Sequence, residues 1–81
     1  MKTKIRDILK TTGKLPGDVA ALADDADLYN AGLTSFGTVE LMMALEEAFD
    51  VEFPDTMMNR RNFASIAAIA NAIQAIQSEK V

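Results

Sequence analysis

The sequence predicts a small all-α bundle with three substantial helices and one or two short ones. Three observations carry this expectation. Apolar residues recur at helical spacing in three separate segments. No segment alternates apolar and polar residues between hairpin-type turns, so nothing reads as a sheet. The chain has 81 residues, 49% of them hydrophobic, which suits one core and reads as a single domain over residues 1–81. A chain of this length buries only about 60–65% of the surface its unfolded form exposes, so its stability margin is thin.

The first helix is expected over residues 3–12, where Ile5, Ile8 and Leu9 fall at i, i+3 and i+4. Gly13, Pro16 and Gly17 end it. A long connection then runs over residues 13–34. Its Leu15, Val19, Leu22, Leu28 and Leu33 can pin it to a core. A short helical turn is expected behind Asp18, over 18–22. Residues 35–49 form the strongest helix, with Leu41, Leu45 and Phe49 on one stripe and Met42 and Ala48 beside it. Pro54 breaks the pattern by pushing the residue before it out of the α region. Asp55 or Thr56 is placed to cap a short helix through Met57 and Met58. Ser65 caps the last helix, whose Ile66, Ile69, Ile73 and Ile76 share a face.

The chain contains no cysteine, no histidine and no tryptophan. Disulfides, Cys/His zinc sites, a Ser-His-Asp triad and a Cys-His pair are therefore excluded. A chain with no imidazole and no thiol has few ways to do chemistry alone, so if it takes part in catalysis the reactive group is expected to come from elsewhere. The lysines near the start are not followed by the apolar stretch of a signal peptide. No apolar run approaches the roughly 20 residues that span a bilayer. The expected location is the cytoplasm.

The net charge of −4 is unevenly spread. Residues 1–14 carry +4 and residues 60–81 carry +2, whereas residues 15–59 carry −10 with no Lys or Arg. Such a block repels nucleic acid and favours basic protein surfaces. It serves equally as a solvated face that aids solubility.

Ser35 stands where the long connection meets the strongest helix. Thr34 and Ser35 are both good N-cap types, and capping is the ordinary role of a serine there. The first turn of a helix also favours a phosphate, through free N–H groups and the helix dipole. Gly32 and Gly37 flank the serine and are expected to leave room for an approaching enzyme. At about 100° per residue, Phe36, Glu40, Met43 and Glu47 form a stripe opposite Leu41, Leu45 and Phe49. Phe and Met interleaved with Glu suit a partner that presents Lys or Arg around an apolar patch. The alternative is a core edge with solvated glutamates.

The run TSFGTVELMMALEEAF over 34–49, followed by DVEFPD over 50–55, resembles the acyl carrier proteins of the phosphopantetheine-binding family. The basic first helix, the approach from Leu28 to Leu33, and the Phe63-Ala-Ser-Ile66 start of the last helix extend that resemblance over nearly the whole chain. It implies a four-helix bundle with a long loop between helices 1 and 2 and a short third helix. It implies that Ser35 carries 4′-phosphopantetheine from coenzyme A, with a terminal thiol that holds cargo as a thioester. It implies a monomeric carrier that catalyses nothing, modified by a phosphopantetheinyl transferase, charged by a loading ligase and docked by enzymes with basic patches. Val39, Glu40, Met43, Glu46, Glu47 and Asp55 match the family's docking positions.

The sequence departs from the family at three places. Thr34 stands where Asp is usual. Phe36 and Gly37 stand where Leu and an acidic residue are usual. The loss of two carboxylates weakens attraction to the general transferase of fatty-acid synthesis. Arg60 and Arg61 stand where the fatty-acid carrier is acidic, and such charges separate related partners. The expectation is a specialised carrier of an acyl cargo, in a lipid or secondary pathway, with an aminoacyl cargo as the alternative.

Met42, Met57, Met58, Phe53 and Ile66 are placed to line an interior cavity for a bound chain, or simply to fill a small core. Two other functions compete. A calcium loop beginning at Asp25 would need Gly and Glu where Asn30 and Phe36 stand, so it is rejected. An unmodified helical interaction module would use the same acidic face without depending on Ser35.

Overall fold

The computed structural model describes residues 1–12, 15 and 17–79. Three α-helices form: α1 over Lys2–Thr12, α2 over Ser35–Phe49 and α3 over Ile66–Glu79. No strand occurs among the described residues. The three segments with helical apolar spacing are therefore the three helices. Their buried faces are Ile5 and Leu9 on α1, Leu41 and Leu45 on α2, and Ile66, Ile69, Ile73 and Ile76 on α3. Ala70 and Ala72 are also buried on α3, where small side chains keep the packing close. No helix is long and apolar enough to cross a membrane among the described residues.

Near the end of α1, the Thr11 and Thr12 hydroxyls donate to the Ile8 carbonyl at 3.0 and 2.7 Å. Gly13 and Pro16, the expected end signals, lie outside the described residues. The connection that follows is long but well anchored. The expected turn behind Asp18 is a 3₁₀ turn over Val19–Ala21, and the Asp18 carboxylate accepts the Ala20 N–H at 3.0 Å. Val19, Leu28 and Leu33 are buried in the core, with Leu15 and Leu22 packed against it. Two backbone bonds tie the connection to the start of α3: Leu28 N–H to Ala64 at 2.7 Å and Ala67 N–H to Asp24 at 2.9 Å.

The basic first helix acts as a clamp on this connection. The Arg6 guanidinium donates to the Val19 carbonyl at 2.9 Å and to Asp24 at 2.7 Å. Lys2 donates to the other Asp24 oxygen at 3.1 Å. Lys4 donates to the Ala48 carbonyl at 3.1 Å and lies 5.1 Å from the centre of the Phe49 ring, near the end of α2. Part of the charge asymmetry is thus used in contacts within the chain.

Hydrogen bonds from Arg6 and then from Lys2 hold the Asp24 carboxyl below its ordinary value of 3.8. Folding lowers this pKa, so the associated stability is complete above the unfolded value. It is lost as pH falls through the lower native value. The melting temperatures of the wild type and Asp24→Asn should therefore converge as the pH is taken from about 7 down to about 2. A gap that stays constant across that range would show that the pair contributes nothing pH-dependent.

Only one short helix is expected after Pro54, and the structure corrects this. Two 3₁₀ turns form, over Asp55–Met57 and Arg60–Phe63. Neither Asp55 nor Thr56 caps the first, because Pro54 occupies the cap position and offers no side-chain bond. Asn59 caps the second, its side chain accepting the Asn62 N–H at 3.0 Å. That cap holds Asn59 extended, at φ −134° and ψ 161°, which interrupts helical continuity. Ser65 caps α3 as expected, its hydroxyl accepting the Ala68 N–H at 3.0 Å.

Candidate functional site

The site is built where the anchored connection turns into α2. The Asp27 carboxylate accepts the Tyr29 and Asn30 N–H groups at 3.0 and 3.3 Å and shapes the first bend. Gly32 follows at φ 120°, a conformation that side-chain-bearing residues rarely adopt. Leu33 is buried and fixes the height of the chain on the core.

Thr34 then takes the N-cap. Its hydroxyl oxygen accepts the Gly37 N–H at 2.9 Å. Its carbonyl receives both the N–H and the hydroxyl of Thr38, at 2.9 and 2.8 Å. Two candidate caps stood side by side in the sequence, and the fold uses only the first. Ser35 is left as the first helical residue, exposed, its hydroxyl without a hydrogen bond to any described residue. Gly37 does not open the approach to Ser35 as expected. It is buried, on the inward side of the first turn.

The outward face of α2 carries the predicted stripe. Phe36 is 72% exposed, and Val39 and Met43 are about half exposed, at 50% and 54%. Glu47 is exposed and Glu40 half-buried. Glu46 differs from the rest of the proposed docking set. It is half-buried, and its carboxylate accepts the Phe53 N–H at 2.9 Å, which secures the chain after α2. The helix ends at Asp50, in the left-handed conformation with φ 53°. Asp55 and Arg61 are exposed on the two 3₁₀ turns.

Ser35 opens onto a cleft of about 320 Å³. Thr38, Val39 and Met42 of α2 form one wall. Met58, Asn59, Arg60 and Phe63 form the opposite one, and Tyr29 also lines the cleft. The Arg60 guanidinium lies 4.1 Å from the centre of the Tyr29 ring. Behind this wall, Phe63 packs on Phe53 with ring centres 5.3 Å apart. Of the five side chains expected around an interior cavity, Met42 and Met58 line the cleft. Phe53 and Ile66 are core residues, and Met57 packs against the core. Sequence reasoning missed Tyr29, Thr38 and Asn59. Asn59 carried a usable signal as a cap-type residue before a short turn. Tyr29 carried none, because its partner Arg60 is far away in the chain.

Two members of the acidic run at 24–27 are committed to structure, Asp24 in the clamp and Asp27 in the bend. No group of three or more His, Cys, Asp or Glu suited to a metal occurs among the described residues.

Comparison with known proteins agrees with this geometry. Residues 3–73 match the family model described as a phosphopantetheine attachment site. An aminoacyl carrier protein of Agrobacterium fabrum is 52% identical over 80 residues, covering 99% of this chain and 96% of the relative. A solved complex pairs an engineered Bradyrhizobium japonicum glycine:[carrier protein] ligase with a carrier protein from Agrobacterium tumefaciens and AMP. A chain of that complex is 54% identical and superposes with a TM-score of 0.89, covering 91% of this chain and 99% of its own. Another complex holds the Bradyrhizobium japonicum ligase with glycylated carrier protein. A chain of it superposes with a TM-score of 0.75 at 25% identity, covering 88% of this chain and 95% of its own.

Proposed function

The chain belongs to the phosphopantetheine attachment-site family, and on that premise we propose that it is an aminoacyl carrier whose 4′-phosphopantetheine is esterified to Ser35. The group's terminal thiol supplies the one reactive function that a chain without cysteine lacks, holding the cargo as a thioester.

The observation that carries this reading is the state of Ser35. Its hydroxyl is exposed and unbonded at the head of α2, beside an open cleft, because Thr34 has taken over the cap. A capping serine has its oxygen turned onto the backbone N–H that it accepts, whereas the Ser35 oxygen has no such engagement and stands exposed. Thr34 also answers the departure from the family's usual Asp, since it keeps the capping oxygen and drops only the charge.

Two further observations favour an aminoacyl over a long acyl cargo. The relative at 52% identity is named an aminoacyl carrier protein, and two structural neighbours come from complexes of carrier protein with a glycine:[carrier protein] ligase. Phe53 and Ile66 are packed in the core, and the space beside Ser35 is a cleft with a guanidinium on its lip. A small polar cargo needs no apolar interior.

The partners in this reading are a phosphopantetheinyl transferase, an ATP-dependent aminoacyl ligase and a downstream acceptor enzyme. They dock on Phe36, Val39, Glu40, Met43 and Glu47, with Thr34 and Asp55 at the margin. The exposed apolar side chains supply contact, and the carboxylates steer a basic patch. Glu46 is left out, since its carboxylate is committed to Phe53. Arg60 and Arg61 turn away partners that require an acidic surface there. Residues 1–81 act as one domain. Its paired 3₁₀ turns stand in the place of a short third helix of a four-helix bundle.

The test is charging. Holo-protein incubated with a glycine:[carrier protein] ligase, ATP and glycine should gain one glycyl mass, and apo-protein none. Charging by a fatty-acyl ligase, with no charging by aminoacyl ligases, would overturn the aminoacyl reading and restore the acyl one.

A further inference from the structure

We propose that Arg60 receives the phosphodiester of the arm carried on Ser35 and parks the arm along the cleft, an inference that rests on Ser35 being the attachment point. Four features of the structure point to it. Arg60 and Ser35 line the same cleft, though they lie on different elements. The guanidinium is held 4.1 Å from the centre of the Tyr29 ring, so it has a set position rather than a free side chain's range. It has no carboxylate partner among the described residues, where both ion pairs are formed by Asp24 with Lys2 and Arg6. Stacking uses the flat face of a guanidinium and leaves its in-plane N–H donors free.

The chemistry of the arm matches what the cleft offers. A phosphodiester brings one negative charge and oxygen acceptors, which suit the free N–H fork of Arg60. The branched dimethyl carbon that follows it suits the apolar side chains that line the cleft, Val39, Met42 and Met58. A cleft of about 320 Å³ takes an arm of this size rather than an arm with a long chain as well. An arm held along the cleft would keep its thiol end close to the protein surface, where a bulky reagent is hindered, and a docking partner would draw the arm out by competing for the phosphodiester with its own basic groups.

The test uses holo-protein made with a broad-specificity transferase, in wild type, Arg60→Gln, Arg60→Lys and Arg61→Gln. Intact mass first establishes that each carries the arm. Two readouts follow: the phosphorus NMR resonance of the phosphodiester, and the rate at which a bulky maleimide alkylates the arm's thiol. Arg60→Gln should move the resonance and abolish its dependence on salt. It should speed alkylation by about two- to fivefold, the range for one exposed ion pair. Arg60→Lys keeps the charge without the flat stack and should fall between. Arg61→Gln removes an equal charge away from the cleft and should match wild type. Identical resonances and alkylation rates in wild type and Arg60→Gln would overturn the proposal, as would an equal effect of Arg61→Gln. Failure of the wild type to gain the arm's mass would instead overturn attachment at Ser35, and this inference with it.

Discussion

Ser35→Ala should give a folded protein that gains no phosphopantetheine mass when incubated with coenzyme A and a broad-specificity transferase, under conditions that modify the wild type completely. The loss is all-or-none because the Ser35 oxygen is the atom proposed to be esterified. Thr34 and Thr38 do not substitute for it. Their hydroxyls are engaged, the first receiving the Gly37 N–H at 2.9 Å and the second donating to the Thr34 carbonyl at 2.8 Å. The same division of labour makes a second half to the expectation. Alanine at 35 leaves the cap in place, so the melting temperature should stay near the wild-type value. Thr34→Ala removes the cap and should cost about 1 kcal/mol, which lowers the melting temperature by about 4–8 °C in a chain of this size. Intact mass and thermal melts on the two variants check both halves. A modified Ser35→Ala protein would place the arm elsewhere and sink the carrier site assigned to this residue.

Phe53→Ala should have the largest effect on stability, about 3–5 kcal/mol. Phe53 is 2% exposed and packs against Phe63 with ring centres 5.3 Å apart. A chain of 81 residues has about 4–12 kcal/mol of stability in total, so this change alone removes a large share of it. Phe63 also lines the cleft beside Ser35. The variant should therefore loosen the far wall of the site as well as the core. Phe36→Ala is the matched contrast. Phe36 is 72% exposed, so its removal should change stability by no more than about 0.5 kcal/mol. It should weaken partner docking instead. Urea unfolding of the two variants, with ligase charging of Phe36→Ala alongside, separates the roles. Equal destabilisation by both would show that Phe36 is part of the core.

The helices were readable because a helix records its buried face in the spacing of its own residues. Ile5 with Leu9, Leu41 with Leu45, and Ile66 with Ile69, Ile73 and Ile76 each repeat at the helical period, and each set is buried. Ser65 was readable as a cap for the same reason, since a cap bonds to a group only three residues on. The stretch after Pro54 was not. A proline, two acceptable caps and a later Asn59 all compete within a few residues. The fold uses Asn59 as a second cap, which splits the stretch into two turns, while Phe53 and Phe63 both reach the core. Glu46 shows the same limit. Its position on α2 reads as a docking glutamate's, and only the fold shows that one of its carboxylate oxygens also accepts the Phe53 N–H.

Spacing along the chain thus set three helices, one exposed stripe on α2 and one serine at the head of that helix. Its likeness to a known family set the chemistry that serine would receive. Contacts between distant residues decided the rest. Folding brought Arg60 onto Tyr29 and opened a cleft beside Ser35. It also set the basic side chains of the first helix against Asp24 and the end of α2. Charge and size can be counted from composition. Which charge meets which depends on how the core draws separate segments together, and no local spacing records that.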